Sequence, residues 1–165
     1  MTQPLVSTSE LPAIGFLADV SQEHRAFLAC FGKFHRPSEG DTIIKEGDSQ
    51  ESLYLIITGK LHIVTAAAER PLLLASLGAG DSIGEINLFD PGTASATAIA
   101  RSDSLIWSLS RSELNSFLEA DSSAGVSVMR GLLAQLSKRT RNMNDKLATS
   151  EKKSSMHDFW SSSQR

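Results

Sequence analysis

One cysteine, Cys30, stands in the 165 residues, so neither an intramolecular disulfide nor a multi-cysteine metal site is available. The chain also lacks any apolar run near the roughly 18 residues of a membrane span; its longest candidates lie around Leu53–Ile57 and Leu72–Leu74. The N-terminus has no basic start followed by an apolar stretch, so no signal peptide is expected and the expectation is a cytoplasmic protein. Catalytic signatures are missing too. His24, His35, His62 and His157 are dispersed without metal-like pairing, and no Gly-x-Ser-x-Gly elbow or phosphate-loop lysine motif occurs. Cys30, on a helical stretch, reads as a small packing residue. The expectation is a non-enzyme with no cofactor and no metal.

What is present suits one globular domain: 41% hydrophobic and 21% charged residues, with a net charge of −3. That charge is uneven. Residues 1–129 hold 8 Lys/Arg against 16 Asp/Glu, whereas residues 130–165 hold 8 against 3. A basic C-terminal arm on an acidic body is either a solvated helix face or a docking surface for an acidic partner.

Residues 1–10 are polar and read as a flexible start. From Leu11 to Phe31, Leu17, Val20, Phe27, Leu28 and Phe31 recur at near-helical spacing, with Ser21 placed to cap and Glu23 in the first turn. After Pro37 the texture becomes β: the runs Thr42–Ile44, Leu53–Ile57, Leu61–Thr65, Leu72–Leu77, Ala96–Ala100 and Leu105–Leu109 are separated by glycines 40, 47, 59, 80 and 84. Such punctuation implies a roll, sandwich or barrel. Ser110 and Glu113 have capping-box spacing before a short helix, and Asp121-Ser122-Ser123 caps a longer one.

In that long helix, predicted over 122–149, Val126, Met129, Leu133, Leu136, Thr140, Met143 and Leu147 alternate spacings of 3 and 4. The seam predicts a homodimer through a two-stranded coiled coil, with Thr140 as the polar position that fixes register. Val128 and Leu132 broaden the stripe, and packing against the chain's own domain is the other reading. Residues 150–165 read as a flexible basic and aromatic tail, in which Phe159 and Trp160 are a candidate anchor for an unidentified protein partner.

Three glycine-spaced segments carry a resemblance: Gly40-Asp41-Thr42-Ile43-Ile44-Lys45-Glu46-Gly47-Asp48, Ser52-Leu53-Tyr54-Leu55-Ile56-Ile57-Thr58-Gly59, and Gly80-Asp81-Ser82-Ile83-Gly84-Glu85-Ile86-Asn87-Leu88-Phe89. In this order they resemble the cyclic-nucleotide-binding domain family, over about residues 11–149. The resemblance implies a mainly β fold. Its expected form is an eight-stranded, jelly-roll-like β-roll over 11–121, with a short N-terminal helix and a long C-terminal one. It also implies a regulatory module that senses a cyclic mononucleotide such as cAMP or cGMP and reports to a partner.

By the same resemblance the stretch from Gly84-Glu85 is the phosphate-binding cassette. Ile83, Gly84, Glu85, Ile86 and Asn87 would contact ligand together with Ser95, Ala96 and Thr97, while Thr140 and Asn144 would approach the base from the long helix. Glu85 matches the glutamate that accepts from the ribose 2′-hydroxyl. The family's phosphate arginine is replaced by Ser95, and no Lys or Arg occurs from Asp81 to Ala100. Arg101, six residues beyond Ser95, is roughly 20 Å away at strand rise. Losing such a partner costs about 2–5 kcal/mol.

Asn87 stands where a small residue is common, and Asp90-Pro91-Gly92-Thr93 is an insertion that reads as a turn with a carboxylate near the phosphate. Glu85 therefore has two readings, a ribose acceptor or a brace for the loop's own N–H groups. The alternative function is a ligand-free interaction module working by dimerisation and tail docking. Only 15 residues follow Ser150, too few for a helix-turn-helix module, so no sequence-specific DNA binding is expected.

Overall fold

The structure, a computed structural model, describes residues 10–66 and 71–162; on the last helix, side chains are described through residue 147 except at 146. The expected flexible start therefore lies outside it, except for Glu10.

The lead-in divides into a 3-10 turn, Gly15–Leu17, and helix α1, Gln22–Ala29. Ser21 accepts from the His24 backbone N–H at 3.2 Å, as its position suggested. The β segment follows as β1 (Lys33–His35), β2 (Thr42–Ile44), β3 (Ser49–Gln50), β4 (Ser52–Thr58), β5 (Leu61–Thr65), β6 (Leu72–Leu77) and β7 (Ser82–Ile83). Helix α2 (Glu85–Phe89) interrupts it before β8 (Gly92–Thr93), β9 (Thr97–Ala100) and β10 (Leu105–Ser110); α3 (Arg111–Ala120) and α4 (Ser122–Ser162) complete the chain.

Eight strands make two four-stranded antiparallel sheets, ordered β1-β10-β4-β7 and β2-β9-β5-β6. A third ladder pairs β3 with β8. The insertion at 90–93 is thus more than a turn: Gly92 and Thr93 pair with Gln50 and Ser49, because the insertion supplies extended backbone beside an unpaired two-residue segment.

Alternation along β4 sorts two cores. Leu53, Leu55 and Ile57 point to one face, where Leu105, Trp107 and Leu109 of β10 join Leu17, Leu28, Phe117, Val128 and Leu132 from the helices. Ile56 and Ile106 point to the other, between the sheets, against Leu61 and Ala100. Burial on both faces explains why β4 reads as a continuous apolar run. Phe27, Phe31 and Phe117, with ring centroids 5.2–5.7 Å apart, pin α1 to α3.

Helix α4 runs past Thr149 to Ser162, where a flexible tail was expected. No Gly or Pro interrupts 150–162, so nothing local stops the helix. The side chains of Phe159 and Trp160, the proposed anchor, lie outside the described residues. Nearer its start, α4 crosses the 3-10 turn closely: a Cβ built on Gly131 would stand 1.9 Å from the Phe16 carbonyl oxygen.

Two predictions follow from this frame. Helical Gly→Ala ordinarily stabilises by about 1 kcal/mol. Gly131→Ala must instead push the 3-10 turn off α4, and should cost about 1–3 kcal/mol, lowering Tm by several degrees in calorimetry. Gly78→Ala, with nothing within 4 Å of the added Cβ, is the control. The second concerns the capping box at α3, where the Ser110 Oγ accepts from Glu113 N–H and the Glu113 carboxylate accepts from Ser110 N–H.

Burial pushes the Glu113 carboxyl up, but its bonds to Ser110 and the charge of Lys33, 3.5 Å away, outweigh that and hold it below the usual glutamate range. A depressed carboxyl contributes stability that is present above the unfolded pKa and lost as pH falls through the folded one. Glu113→Gln keeps the capping bond without the charge, so its Tm should fall less steeply on acidification than that of the unaltered protein. Parallel acid limbs would refute this.

Candidate functional site

The third glycine-spaced segment builds one wall of a cavity. Ser82 and Ile83 pair with Leu55 and Tyr54 of β4, and Gly84 then turns the chain with φ +84° into α2. A Cβ there would lie 2.1 Å from the Ser52 carbonyl oxygen and would also demand a left-handed backbone that side chains resist, so this turn requires glycine. The segment leading into β9 forms the opposing wall, and Ile44, Ile63 and Ala98 of the second sheet form the floor. The cavity is open to solvent on one side and has a volume of ≈170 Å³.

Of the residues assigned to ligand contact, Ile83, Gly84, Glu85, Ile86, Asn87, Ser95 and Ala96 line this cavity. Thr97, Thr140 and Asn144 do not. The Thr97 hydroxyl accepts from the Glu46 N–H at 3.0 Å, on the face of its strand opposite to Ala96 and Ala98. Thr140 is exposed and donates its hydroxyl to the Leu136 carbonyl, 3.0 Å away on its own helix, and Asn144 is exposed a turn beyond. Asp90, expected near a phosphate, is also exposed and outside the lining.

The residue that α4 does bring to the cavity is Arg139. Its Nη1 donates to Glu85 Oε1 and its Nη2 to the Ser82 carbonyl. Glu85 is only 7% exposed, and its other oxygen, Oε2, is buried without a partner among the described residues. The carboxylate thus takes a guanidinium on one oxygen and offers the other, rather than bracing the loop through backbone N–H groups. Glu85 and Arg139 are the charged residues of the lining.

A signal for Arg139 did exist. Ala124, Val128 and Leu132 are the buried face of α4, and the same stripe continues at helical spacing through Gln135 to Arg139. Gln135 accepts from the Ser82 hydroxyl at 3.4 Å, one turn before Arg139 reaches the same strand. The broadening noted at Val128 and Leu132 is therefore the edge of a second stripe, packed on the chain's own body. Along the seam itself, Met129 and Leu136 are half-buried, Thr140 is exposed, and Val126, Leu133, Met143 and Leu147 are each more than half exposed.

Next to the cavity, burial pushes the Tyr54 phenol up against the opposing pull of hydrogen bonds with Gln50 and Ser52. Gln50 itself donates to the Ser52 carbonyl at 3.0 Å and lines the cavity. Among the described residues no cluster of three or more His, Cys, Asp or Glu could hold a metal, and no helix is long and apolar enough to cross a membrane.

Known proteins resemble this chain in sequence and in fold. A CRP-like cAMP-activated global transcriptional regulator of Mycobacterium tuberculosis is 31% identical over 111 residues, 67% of this chain and 50% of that protein. The chain therefore spans about half the length of that regulator. A cyclic nucleotide-binding domain from Methylobacillus flagellatus superposes with a TM-score of 0.72 at 28% identity, covering 78% of this chain and 72% of the other. The catabolite activator protein of Thermus thermophilus gives 0.70 at 26%, covering 80% and 61%. A family model, the cyclic nucleotide-binding domain, matches residues 35–121, more than half of the chain, and with the β-roll it establishes that this protein belongs to the cyclic nucleotide-binding domain family.

Proposed function

We propose that the chain is a non-enzymatic regulatory module that takes a cyclic nucleotide into the cavity beside α2 and passes its occupancy, as a homodimer, to a partner protein. One observation carries the ligand reading: Glu85 lines the cavity, and its Oε2 is buried and without a partner among the described residues. A buried carboxylate oxygen without a donor is costly, and a sugar hydroxyl entering the cavity would satisfy it. The M. tuberculosis relative is named as cAMP-activated, which supports the same ligand class.

The second reading, an interaction module that needs no ligand, draws on the ion pair within the site. Arg139 already neutralises Glu85, so the pocket does not depend on an outside charge. The exposed seam of α4 supports dimerisation under either reading. Four side chains of that seam, Val126, Leu133, Met143 and Leu147, stand in solvent, while Ala124, Val128 and Leu132 of the neighbouring stripe are buried.

Calorimetric titration with cyclic AMP and cyclic GMP decides between the readings. Binding with a Kd below roughly 100 μM, about 5.5 kcal/mol, is expected for the sensor. The 2′-deoxy analogue should bind at least about tenfold more weakly, because it leaves Glu85 desolvated with one donor fewer. Equal affinities would mean that Glu85 does not read the sugar. For the dimer, Leu133→Glu with Leu136→Glu should give a soluble monomer by sedimentation, since a buried seam does not accept charge. Unaltered protein sedimenting as a monomer at tens of micromolar would refute the seam.

A further inference from the structure

We infer that Arg139 supplies, from helix α4, the positive charge that the cassette lacks at Ser95, so that the ligand's phosphate is held by the helix and its sugar by the roll. This rests on the reading of the cavity as a cyclic-nucleotide site, and it assigns a role within that site to a residue from another part of the chain.

The argument begins with charge. The cavity lining contains one anionic side chain, Glu85, and one cationic side chain, Arg139. Ser95, on the opposing wall, offers a hydroxyl and no charge. An anion entering the cavity therefore has a single cation within the lining to meet. Arg139 has the capacity to meet it. A guanidinium carries five N–H donors, and the bonds to Glu85 Oε1 and the Ser82 carbonyl use two of them. The side chain is also 34% exposed, so its unused donors have room for a further acceptor. Its planar fork suits bidentate recognition of phosphate oxygens.

Glu85 then contributes to both halves of the site. Oε1 fixes the guanidinium in place, and the unpartnered Oε2 is left to accept from the sugar.

The placement has a mechanical side. Past Leu132 no described side chain of α4 is buried, so Gln135 and Arg139 tie this stretch of helix to the roll by polar contacts with Ser82 and Glu85. A phosphate bound by Arg139 would add a bridge between α4 and the sheet at that point. An arginine on the strand wall would hold the phosphate without touching the helix.

The test compares cyclic AMP with adenosine, which carries the same sugar and base without the phosphate. The measured quantity is the ratio of their dissociation constants, in which a general weakening of the pocket cancels. The unaltered protein should prefer cyclic AMP by at least about tenfold. Arg139→Gln should reduce the preference to near one. Adding Ser95→Arg to Arg139→Gln should restore it by placing a cation on the opposite wall. Should Arg139→Gln fail to fold, Arg139→Lys keeps the charge but loses the fork, and its preference should fall between one and that of the unaltered protein.

Hydrogen exchange separates the helix from the pocket. Cyclic AMP should protect backbone amides around residues 135–142 in the unaltered protein but not in the Arg139→Gln, Ser95→Arg variant, although that variant binds. A preference unchanged by Arg139→Gln or by Arg139→Lys overturns the inference and leaves the ligand reading standing. Equal binding of adenosine and cyclic AMP to the unaltered protein likewise overturns the role of Arg139 while keeping the sugar reading of Glu85. Binding of neither removes both.

Discussion

The structure depends on one sheet being buried on both of its faces. β4 and β10 pair in register from Leu53 opposite Leu109 to Ile56 opposite Ile106, and their side chains feed two separate cores. One face receives the 3-10 turn, α1, α3 and the first part of α4; the other receives the second sheet. Because a pleated strand sends neighbours to opposite sides, the pair fixes at once where the helices dock and where the second sheet lies. The cavity is a product of this arrangement. It forms where β7, the edge strand of the doubly buried sheet, gives way to α2 beside the floor of the second sheet, close to the path that α4 takes across the first.

The elements legible in the sequence were those with a local cause. Leu61–Thr65 and Leu72–Leu77 appear as strands at their expected bounds, the first a run rich in β-branched residues shortly after Gly59 and the second an apolar run between Pro71 and Gly78. The Ser110–Glu113 box and the Asp121 cap, which accepts from the Ala124 N–H at 3.0 Å, are as local as structure can be. The strands β1, β3, β7 and β8 have two or three residues each, too few for any period to show. Their ladders come from partners remote in sequence, such as Lys33 with Ser108 and Ser49 with Thr93. The roll itself was readable from three glycine-spaced segments because turns that need positive φ leave glycine as a visible mark.

The site was legible in part for the same reason. Ile83 through Asn87, together with Ser95 and Ala96, are close along the chain, and the family resemblance carried by the third glycine-spaced segment gathered them. Arg139 is 54 residues from Glu85, and its role rests on the rotation of a long helix about its own axis. On α4 the exposed seam and the buried stripe lie side by side, and one residue of rotation, about 100°, decides which of Arg139 and Thr140 enters the cavity. The family resemblance, with the one-turn spacing of two polar side chains, pointed to Thr140 and Asn144. The buried residues Val128 and Leu132 set the rotation instead, since burying two aliphatic side chains outweighs any preference of an exposed threonine. A search for a cation confined to residues 81–101 also had no means of finding one supplied by another element.

The contact at Gly131 gives α4 the form of a lever. Backbone meets backbone there, with no side chain between to yield, so the helix and the 3-10 turn share a hard point of support. On one side lies a short arm anchored by Ala124 and Val128; on the other the helix continues to Ser162. At about 1.5 Å per residue, Arg139 sits roughly 12 Å beyond the support and the end of the helix roughly 46 Å beyond it. For a rigid rod pivoting at that point, each ångström of movement at the arginine becomes nearly four at the far end. The gain is set by one missing methyl group at position 131 and by the length of uninterrupted helix that follows it.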